Sequence, residues 1–208
     1  MQKKQVAVLD FGSSAVTALV AERGINKTFI IKGKYSFEYD GYGEGAFLDE
    51  RKLSSVIKEA VKCIRQTLKE EPKTVYVGVP GDFCSVLIRD SQISFEKKKK
   101  IDEADISALF DSAFVTKKSN STLINRSAIV YELDDFRRLA NPYGAFSEIL
   151  KGKLSFVLCS NYFIETVSSV IKECGIEDVE YVSVPLAEAM YLIDAETRDR
   201  ITLLADVG

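Results

Sequence analysis

Histidine and tryptophan are absent from this sequence of 208 residues, and its four cysteines stand singly, with no Cys-x-x-Cys pair. Without an imidazole, the chain can form neither a Ser-His-Asp or Cys-His catalytic group nor a His-ligated zinc site. Disulfides require an oxidising compartment, which nothing in the sequence indicates. We therefore expect buried structural thiols, and any chemistry must fall to carboxylates and backbone amides. The cysteines are Cys63, Cys84, Cys159 and Cys174.

The sequence also lacks a long apolar run and a strong excess of charge. No stretch approaches the roughly 18–20 apolar residues of a membrane span, and no signal peptide is recognisable, so the cytoplasm is the expected location. The net charge of −3 gives no reason to expect nucleic acid as a partner. The run Lys97–Lys100 lies beside acidic residues, without arginine or interleaved aromatics, which predicts a solvated loop.

The most informative stretch that is present is the first apolar run and the turn after it. Val6–Leu9 leads into Asp10, and Gly12, Ser13 and Ser14 then precede a second apolar run. Apolar strands around a short polar turn predict a hairpin. Successive N–H groups in such a turn can bind phosphate oxygens, and a carboxylate at the strand end is placed to hold a hydrated divalent cation. The motif is short, and ordinary β-turns contain it as well.

The order of the predicted elements indicates an α/β fold. A third strand covers residues 28–37, and a buried strand covers 75–79. Between them, apolar residues at three- and four-residue spacing over 53–68 predict a helix with Asp49 as its N-cap. With a later strand at 179–184, these elements predict a mixed sheet of three antiparallel and two parallel strands, with helices packed on it. The glycine-rich stretch 40–45 is interpreted as a plain connector.

Residues 85–159 contain strand-like segments around a single helix, and this pattern predicts a small α+β module inserted into the larger unit. Its helix is expected to begin after Asp102, with Asp105 completing a weak capping box.

Two elements are predicted near the end of the sequence. Pro185 opens a helix at a position where proline is tolerated, and the run Ile201–Gly208 is an apolar strand with a second Asp-x-Gly. We expect the strand to be disordered alone or to pair with another molecule. The helix is expected to turn four residues inward, namely Leu186, Ala189, Met190 and Ile193.

Two strands that end in Asp-x-Gly give the chain a resemblance to the actin-like ATPase superfamily, and within it to the N-terminal half of the FtsA family of bacterial cell-division proteins. The landmarks follow the family's order over essentially the whole sequence. They are the first phosphate loop at Val8–Ser14, the strand at Val75–Gly81, the segments Asp102–Ile106 and Asn141–Gly144 within the family's insertion, the segment Val184–Ala189, and the start of the second phosphate loop at Asp206–Gly208.

The resemblance implies a ribonuclease H-like (actin-like) mixed sheet with an inserted small α+β subdomain of SHS2 type. Residues 1–84 plus 160–200 would form the actin-like subdomain 1A, and residues 85–159 the inserted subdomain 1C. Residues 201–208 would be the first strand of a second lobe that this sequence does not contain.

The resemblance also implies a nucleotide site. Backbone amides near Gly12, Ser13 and Ser14 would face the β- and γ-phosphates of ATP, while Asp10 and Asp206 would hold waters of a bound Mg²⁺. Because the family's site lies between two lobes, we expect ATP and Mg²⁺ to bind to the complete protein, and we expect isothermal titration to measure no binding to this chain by itself.

One position departs from the family pattern. The family usually has a lysine after the paired serines, whereas this sequence has Ala15. The replacement removes one favourable contact between an ammonium group and phosphate.

By the same resemblance, the expected function is that of a division scaffold at the inner face of the membrane, with ATPase activity at most in the complete protein. Its inserted subdomain would contact other division proteins or further copies of the protein. One alternative is the actin-like cytoplasmic scaffold of type IV pilus assembly, which shares the insertion. Another is a sugar- or acetate-kinase-like phosphotransferase, but Val184 stands where a kinase would use a carboxylate.

Overall fold

The structure is a computed structural model that describes residues 5–24, 28–68, 72–114, 120–193 and 202–205. In it the chain divides into two compact units. The first unit contains Met1–Cys84 and Cys159–Gly208, and the second unit contains Ser85–Leu158.

The described elements alternate strands and helices in the first unit and are mostly strands in the second. In chain order they are β1 (Gln5–Phe11), β2 (Ala15–Arg23), β3 (Phe29–Glu38), β4 (Tyr42–Gly43), β5 (Ala46–Phe47), α1 (Glu50–Thr67), β6 (Thr74–Val79), a 3₁₀ turn (Gly81–Phe83), β7 (Cys84–Lys100), α2 (Glu103–Ala113), β8 (Ser121–Leu133), β9 (Arg138–Leu139), β10 (Phe146–Ser160), α3 (Asn161–Glu173), β11 (Asp178–Ser183) and α4 (Val184–Leu192).

The first unit is built on a five-stranded sheet with the order β11-β6-β1-β2-β3. The strands β1, β2 and β3 pair antiparallel, whereas β6 pairs parallel with both β1 and β11. This arrangement confirms the predicted sheet of three antiparallel and two parallel strands. The parallel neighbours require crossover connections, and a helix-containing segment precedes each of the strands β6 and β11.

Helix α1 packs its predicted apolar stripe into the core of the first unit. The Asp49 carboxylate accepts hydrogen bonds from the amides of Arg51 and Lys52, which confirms Asp49 as the N-cap. The helix buries Leu53, Val56, Ile57, Ala60, Val61 and Ile64.

An aromatic cluster lies beneath the same sheet. The Phe163 ring of α3 lies 5.5 Å from the Phe11 ring, 5.6 Å from the Phe47 ring and 4.8 Å from the Phe83 ring, measured between centroids. These rings tie β1, β5, the 3₁₀ turn and α3 together. They therefore fix the side of β1 that faces the helices, so that alternate residues of β1 face the other side.

Helix α4 departs from expectation. Pro185 lies in its first turn and the Ser183 hydroxyl accepts a hydrogen bond from the Leu186 amide, so the predicted start is confirmed. The inward orientation predicted for Leu186, Ala189, Met190 and Ile193 is met only in part, because Leu186, Ala189 and Ile193 are half-buried whereas Met190 is 59% exposed, and no residue of α4 is fully buried. The physical reason is that nearly every position of this short helix is apolar, so the sequence contains no polar face to define an inner side.

The second unit has a four-stranded sheet with the order β7-β10-β8-β9. Helix α2 begins with the predicted capping box, in which Asp102 and Asp105 each accept a hydrogen bond from the other's amide. The unit has its own core, which contains Ile101, Leu109, Phe110, Tyr131, Leu133, Leu150, Leu154 and Phe156.

The lysine run does not form the predicted loop. Lys97–Lys100 completes strand β7, because Ile93 and Phe95 alternate toward the core and the same alternation carries the backbone on as a strand. The Lys99 ammonium bonds the Asp105 carboxylate at 2.9 Å. The lysine side chains are solvated, as expected, but on a strand.

The cysteines are all free thiols. Only Cys159 is fully buried, and the other three are half-buried, so the expectation of buried cysteines is met in part. Burial raises the pKa of Cys159 to about 12 and also raises the pKa of Cys84. Both groups therefore remain unreactive thiols at neutral pH.

The final stretch does not form the predicted strand where the structure describes it. Residues 202–205 have no regular secondary structure, and Leu203 is 92% exposed. A strand persists only when its backbone groups pair with a neighbour, and these residues do not join the five-stranded sheet.

No helix among the described residues has both the length and the apolar character needed to cross a membrane.

Candidate functional site

The turn between β1 and β2 is the centre of the candidate site. Phe11 and Val16 form the last pair of the hairpin, and the Gly12 amide donates to the Ala15 carbonyl at 2.9 Å. Ser13 and Ser14 at the tip are exposed, and their amides donate no backbone hydrogen bond to another described residue. Two adjacent N–H groups of this kind are suitable donors to an oxyanion.

Asp10 lies on the sheet face opposite α1 and α3, one residue before β1 ends. Its neighbours across the sheet are Thr17 on β2 and Gly78 on β6, and its side chain is exposed. The structure therefore brings Asp10 to the same end of the hairpin as Gly12, Ser13 and Ser14.

Gly78 makes room for Asp10. A Cβ atom at position 78 would lie 2.8 Å from the Asp10 Oδ1 atom and 2.9 Å from the Val184 Cγ2 atom. Both distances are shorter than a normal contact, so a larger residue would displace the carboxylate or the start of α4. Sequence reasoning missed this role, because Gly78 looks like an ordinary residue of a buried strand.

The segment after β3 holds the turn from its other side. The Tyr39 hydroxyl donates to the Gly12 carbonyl at 2.8 Å, and the Tyr39 amide donates to the Ser14 carbonyl at 3.0 Å. Gly41 has a φ of +81°, and a Cβ there would lie 2.1 Å from the Ser13 carbonyl oxygen. The stretch 40–45 is therefore more than the plain connector predicted, since its first glycine packs against the turn.

Tyr39 is electrostatically coupled to the site. Burial, followed by the neighbouring Tyr42 and Asp10, raises the pKa of Tyr39 well above its ordinary value. The phenol consequently stays protonated and remains a hydrogen-bond donor to Gly12 throughout the neutral and mildly alkaline range. No feature of the sequence near Tyr39 indicates this contact.

The second predicted carboxylate, Asp206, lies outside the described residues. Within the described part of the chain, no group of three or more cysteine, aspartate or glutamate side chains is arranged to hold a metal ion. The structure therefore brings together one exposed carboxylate, which can accept hydrogen bonds from metal-bound water, and the N–H groups of one turn. This set matches one side of a phosphate and hydrated-Mg²⁺ site, because Mg²⁺ commonly keeps several waters and uses one or two carboxylates.

Comparison with curated proteins finds cell-division proteins. The chain is 21% identical over 206 residues to the cell division protein FtsA of Pseudomonas aeruginosa, covering 99% of this chain and 49% of the relative. It is 23% identical over 206 residues to FtsA of Enterococcus faecalis, covering 96% and 46%. The chain thus spans about half the length of the curated relatives it matches. No protein-family model matches it.

Comparison with solved structures finds a similar fold in a protein of type IV pilus biogenesis. The PilM-PilN type IV pilus biogenesis complex superposes with a TM-score of 0.55 at 14% sequence identity, covering 92% of this chain and 51% of the matched one. This likeness and the observed mixed sheet confirm the predicted mixed α/β fold, whereas the SHS2 type of the inserted unit stays a prediction. The chain is therefore similar in sequence to the FtsA cell-division proteins and has an actin-like α/β fold.

Proposed function

We propose that this chain is part of an FtsA-like, actin-related scaffold of bacterial cell division, in which the β1–β2 turn forms one wall of an ATP and Mg²⁺ site. The observation that carries the proposal is the exposed, pre-formed turn with two donor amides beside Asp10. The protein would act in the cytoplasm at the inner face of the membrane, where the division site forms.

Each predicted site residue has a role that its position supports. The amides of Ser13 and Ser14 would donate to phosphate oxygens, with Gly12 allowing the close approach of backbone to ligand. Asp10 would hold a water of the Mg²⁺ ion, as Asp206 would from the opposite lobe of the complete protein. Because Ala15 supplies no ammonium group, binding to this half of the site depends on the backbone donors and the ion.

The second unit would form the inserted SHS2-type subdomain and carry protein contacts. Leu87 packs against its core, so the alternation of β7 places Val86 and Ile88 on the opposite sheet face, where both are exposed. A groove of about 560 Å³ in the same unit is lined mostly by polar and charged residues, among them Asp90, Glu132 and Lys151. Exposed apolar side chains surrounded by polar ones are a common feature of protein–protein contact sites.

The sequence likeness favours cell division over the alternatives. The curated relatives are division proteins over the whole of this chain, whereas the likeness to the pilus protein concerns the fold. A phosphotransferase is disfavoured because the residue beside Asp10 across Gly78 is Val184, which can neither accept a proton nor orient a substrate hydroxyl. ATP hydrolysis, if the complete protein performs it, would need groups from the other lobe.

The proposal is tested by titrating Mg·ATP into the isotopically labelled chain and following backbone amide shifts by NMR. We expect shifts confined to residues 10–15 at millimolar ligand and no measurable heat at micromolar ligand in isothermal titration. In Asp10→Asn, the Mg²⁺ dependence of the shifts should be lost. Asp178→Asn, which removes an exposed carboxylate at the opposite end of the sheet, should behave as wild type.

Two results would contradict the proposal in different ways. An absence of shifts at residues 10–15 would remove the turn as a phosphate site. Micromolar affinity of the chain alone would instead show that one wall suffices, and the two-lobed site would be wrong.

A further inference from the structure

Strand β3 forms one edge of the five-stranded sheet, and among the described residues β2 is the only strand paired with it in that sheet. The Tyr39 amide, just beyond the strand, donates toward β2 at the Ser14 carbonyl. Backbone groups of an antiparallel strand alternate in direction from one residue to the next. The N–H and C=O groups of Lys34, Ser36 and Glu38 therefore point away from β2, toward the open edge.

The segment Lys34–Glu38 is complementary to itself. If a second copy runs antiparallel along the edge with Ser36 opposite Ser36, Lys34 of each copy faces Glu38 of the other. On the opposite face, Tyr35 of each copy faces Phe37 of the other. Opposite charges and aromatic rings at directly facing positions are both favourable cross-strand pairs, and the two-fold symmetry produces each pair twice.

The charged side chains of this segment are available for such pairing. Lys34 and Glu38 are exposed, and neither forms an ion pair with another described residue within 4.0 Å. Tyr35 and Phe37 are half-buried on the helix side, where the Tyr35 hydroxyl hydrogen-bonds the Thr67 hydroxyl. The Tyr35 ring is thus already held in position by its hydrogen bond to α1.

We propose that a second copy of this chain binds antiparallel along β3, centred on Ser36, so that the two five-stranded sheets become one continuous sheet. The contact is isologous and therefore closes as a dimer. It also covers an edge that would otherwise present unpaired backbone groups to solvent. Because a contact through one strand pair is smaller than a standard interface, the dimer is weak and forms at high protein concentration.

The pairing makes a charge-swap experiment possible. In sedimentation velocity over a range of concentrations, Lys34→Glu and Glu38→Lys should each weaken the dimer by about tenfold, since each change creates two facing like-charge pairs. The double variant Lys34→Glu/Glu38→Lys should dimerise as wild type. An equimolar mixture of the two single variants should also dimerise, because a segment with two carboxylates then faces a segment with two ammonium groups.

The controls separate β3 from the rest of the molecule. Lys153→Glu makes the same charge change at an exposed position of the second unit and should leave the dimer unchanged. Ile88→Asp tests whether the apolar face of the second unit carries the association, and it too should leave the dimer unchanged. Circular dichroism checks that every variant is folded.

Four results would overturn the proposal. They are a wild-type chain that stays monomeric at all concentrations, a dimer that Lys34→Glu leaves intact, single variants that fail to associate when mixed, and species larger than a dimer, which would indicate an open contact such as β3 against β11. None of these results bears on the phosphate turn, so the two proposals stand or fall separately.

Discussion

The two units use their sheets in opposite ways. In the first unit, the exposed sheet face ends in a turn whose backbone is held by Tyr39 and Gly41 to within normal contact distances. In the second unit, a helix covers one face of the sheet, and the other face exposes β-branched side chains such as Ile88 and Ile129. In the first unit, contacts therefore fix the position of the backbone at the turn. In the second unit, the notable feature is the set of apolar side chains exposed on the sheet. The first arrangement suits a small anion and the second a protein surface.

The largest expected effect tests how tightly the turn is held. Gly41→Ala adds a Cβ at 2.1 Å from the Ser13 carbonyl oxygen, at a positive φ, and should lower the free energy of unfolding by about 3 kcal/mol. Urea denaturation measures the change. Gly43→Ala is a matched control in the same loop, since a Cβ there meets no atom within 4 Å. A loss of about 0.5 kcal/mol or less is expected for it, and equal losses in both variants would show that the turn is not tightly held.

A smaller effect is expected in the second unit from its helix cap. Asp102→Ala removes the acceptor for the Asp105 amide and should cost about 1 kcal/mol, measured by chemical denaturation with hydrogen exchange to locate the change. Asp111→Ala on the same helix breaks only an exposed ion pair with Arg126 and should have little effect. If the two substitutions lower the free energy of unfolding equally, the capping box adds no stability beyond that of an exposed charge.

The smallest effect concerns acid stability. Hydrogen bonding, chiefly from the Glu148 amide to the Asp134 carboxylate, lowers the pKa of Asp134 below its ordinary value of 3.8. A carboxylate with a depressed folded-state pKa stabilises the protein above its unfolded pKa, and the stabilisation is lost as the pH falls through the folded value. The stability difference between wild type and Asp134→Asn should therefore be present at pH 6 and shrink below about pH 4.

A constant difference for Asp134→Asn would mean that the hydrogen bonds to its carboxylate do not favour the charged form.

Sequence reasoning succeeded where the signal is local. The stripe of α1, its Asp49 cap and the Asp102–Asp105 box all depend on residues three or four apart, and the order of elements was enough for the sheet. It is wrong at Met190, where a nearly all-apolar helix contains no polar face, and at Lys97–Lys100, where a run of charge predicts a loop but the residues form a strand. Pairing between strands depends on backbone hydrogen bonds, so charged side chains do not prevent these lysines from extending β7.

The candidate site could be predicted only in part for the same reason. Asp10, Gly12, Ser13 and Ser14 are neighbours in sequence, so their grouping needs no tertiary information. The contacts of Tyr39, Gly41 and Gly78 with that turn join distant parts of the chain. One sequence contains no signal for such contacts, since each of these residues is also ordinary in a strand or a loop.

The protonated phenol of Tyr39 has a consequence for the whole protein. With no histidine in the chain and the pKa values of Tyr39 and Cys159 displaced upward, none of these groups changes charge when a cell acidifies or recovers. The hydrogen bond from the Tyr39 hydroxyl to the Gly12 carbonyl is therefore retained across physiological pH. Salt concentration is then the solution variable expected to change any attraction between the turn and an anion.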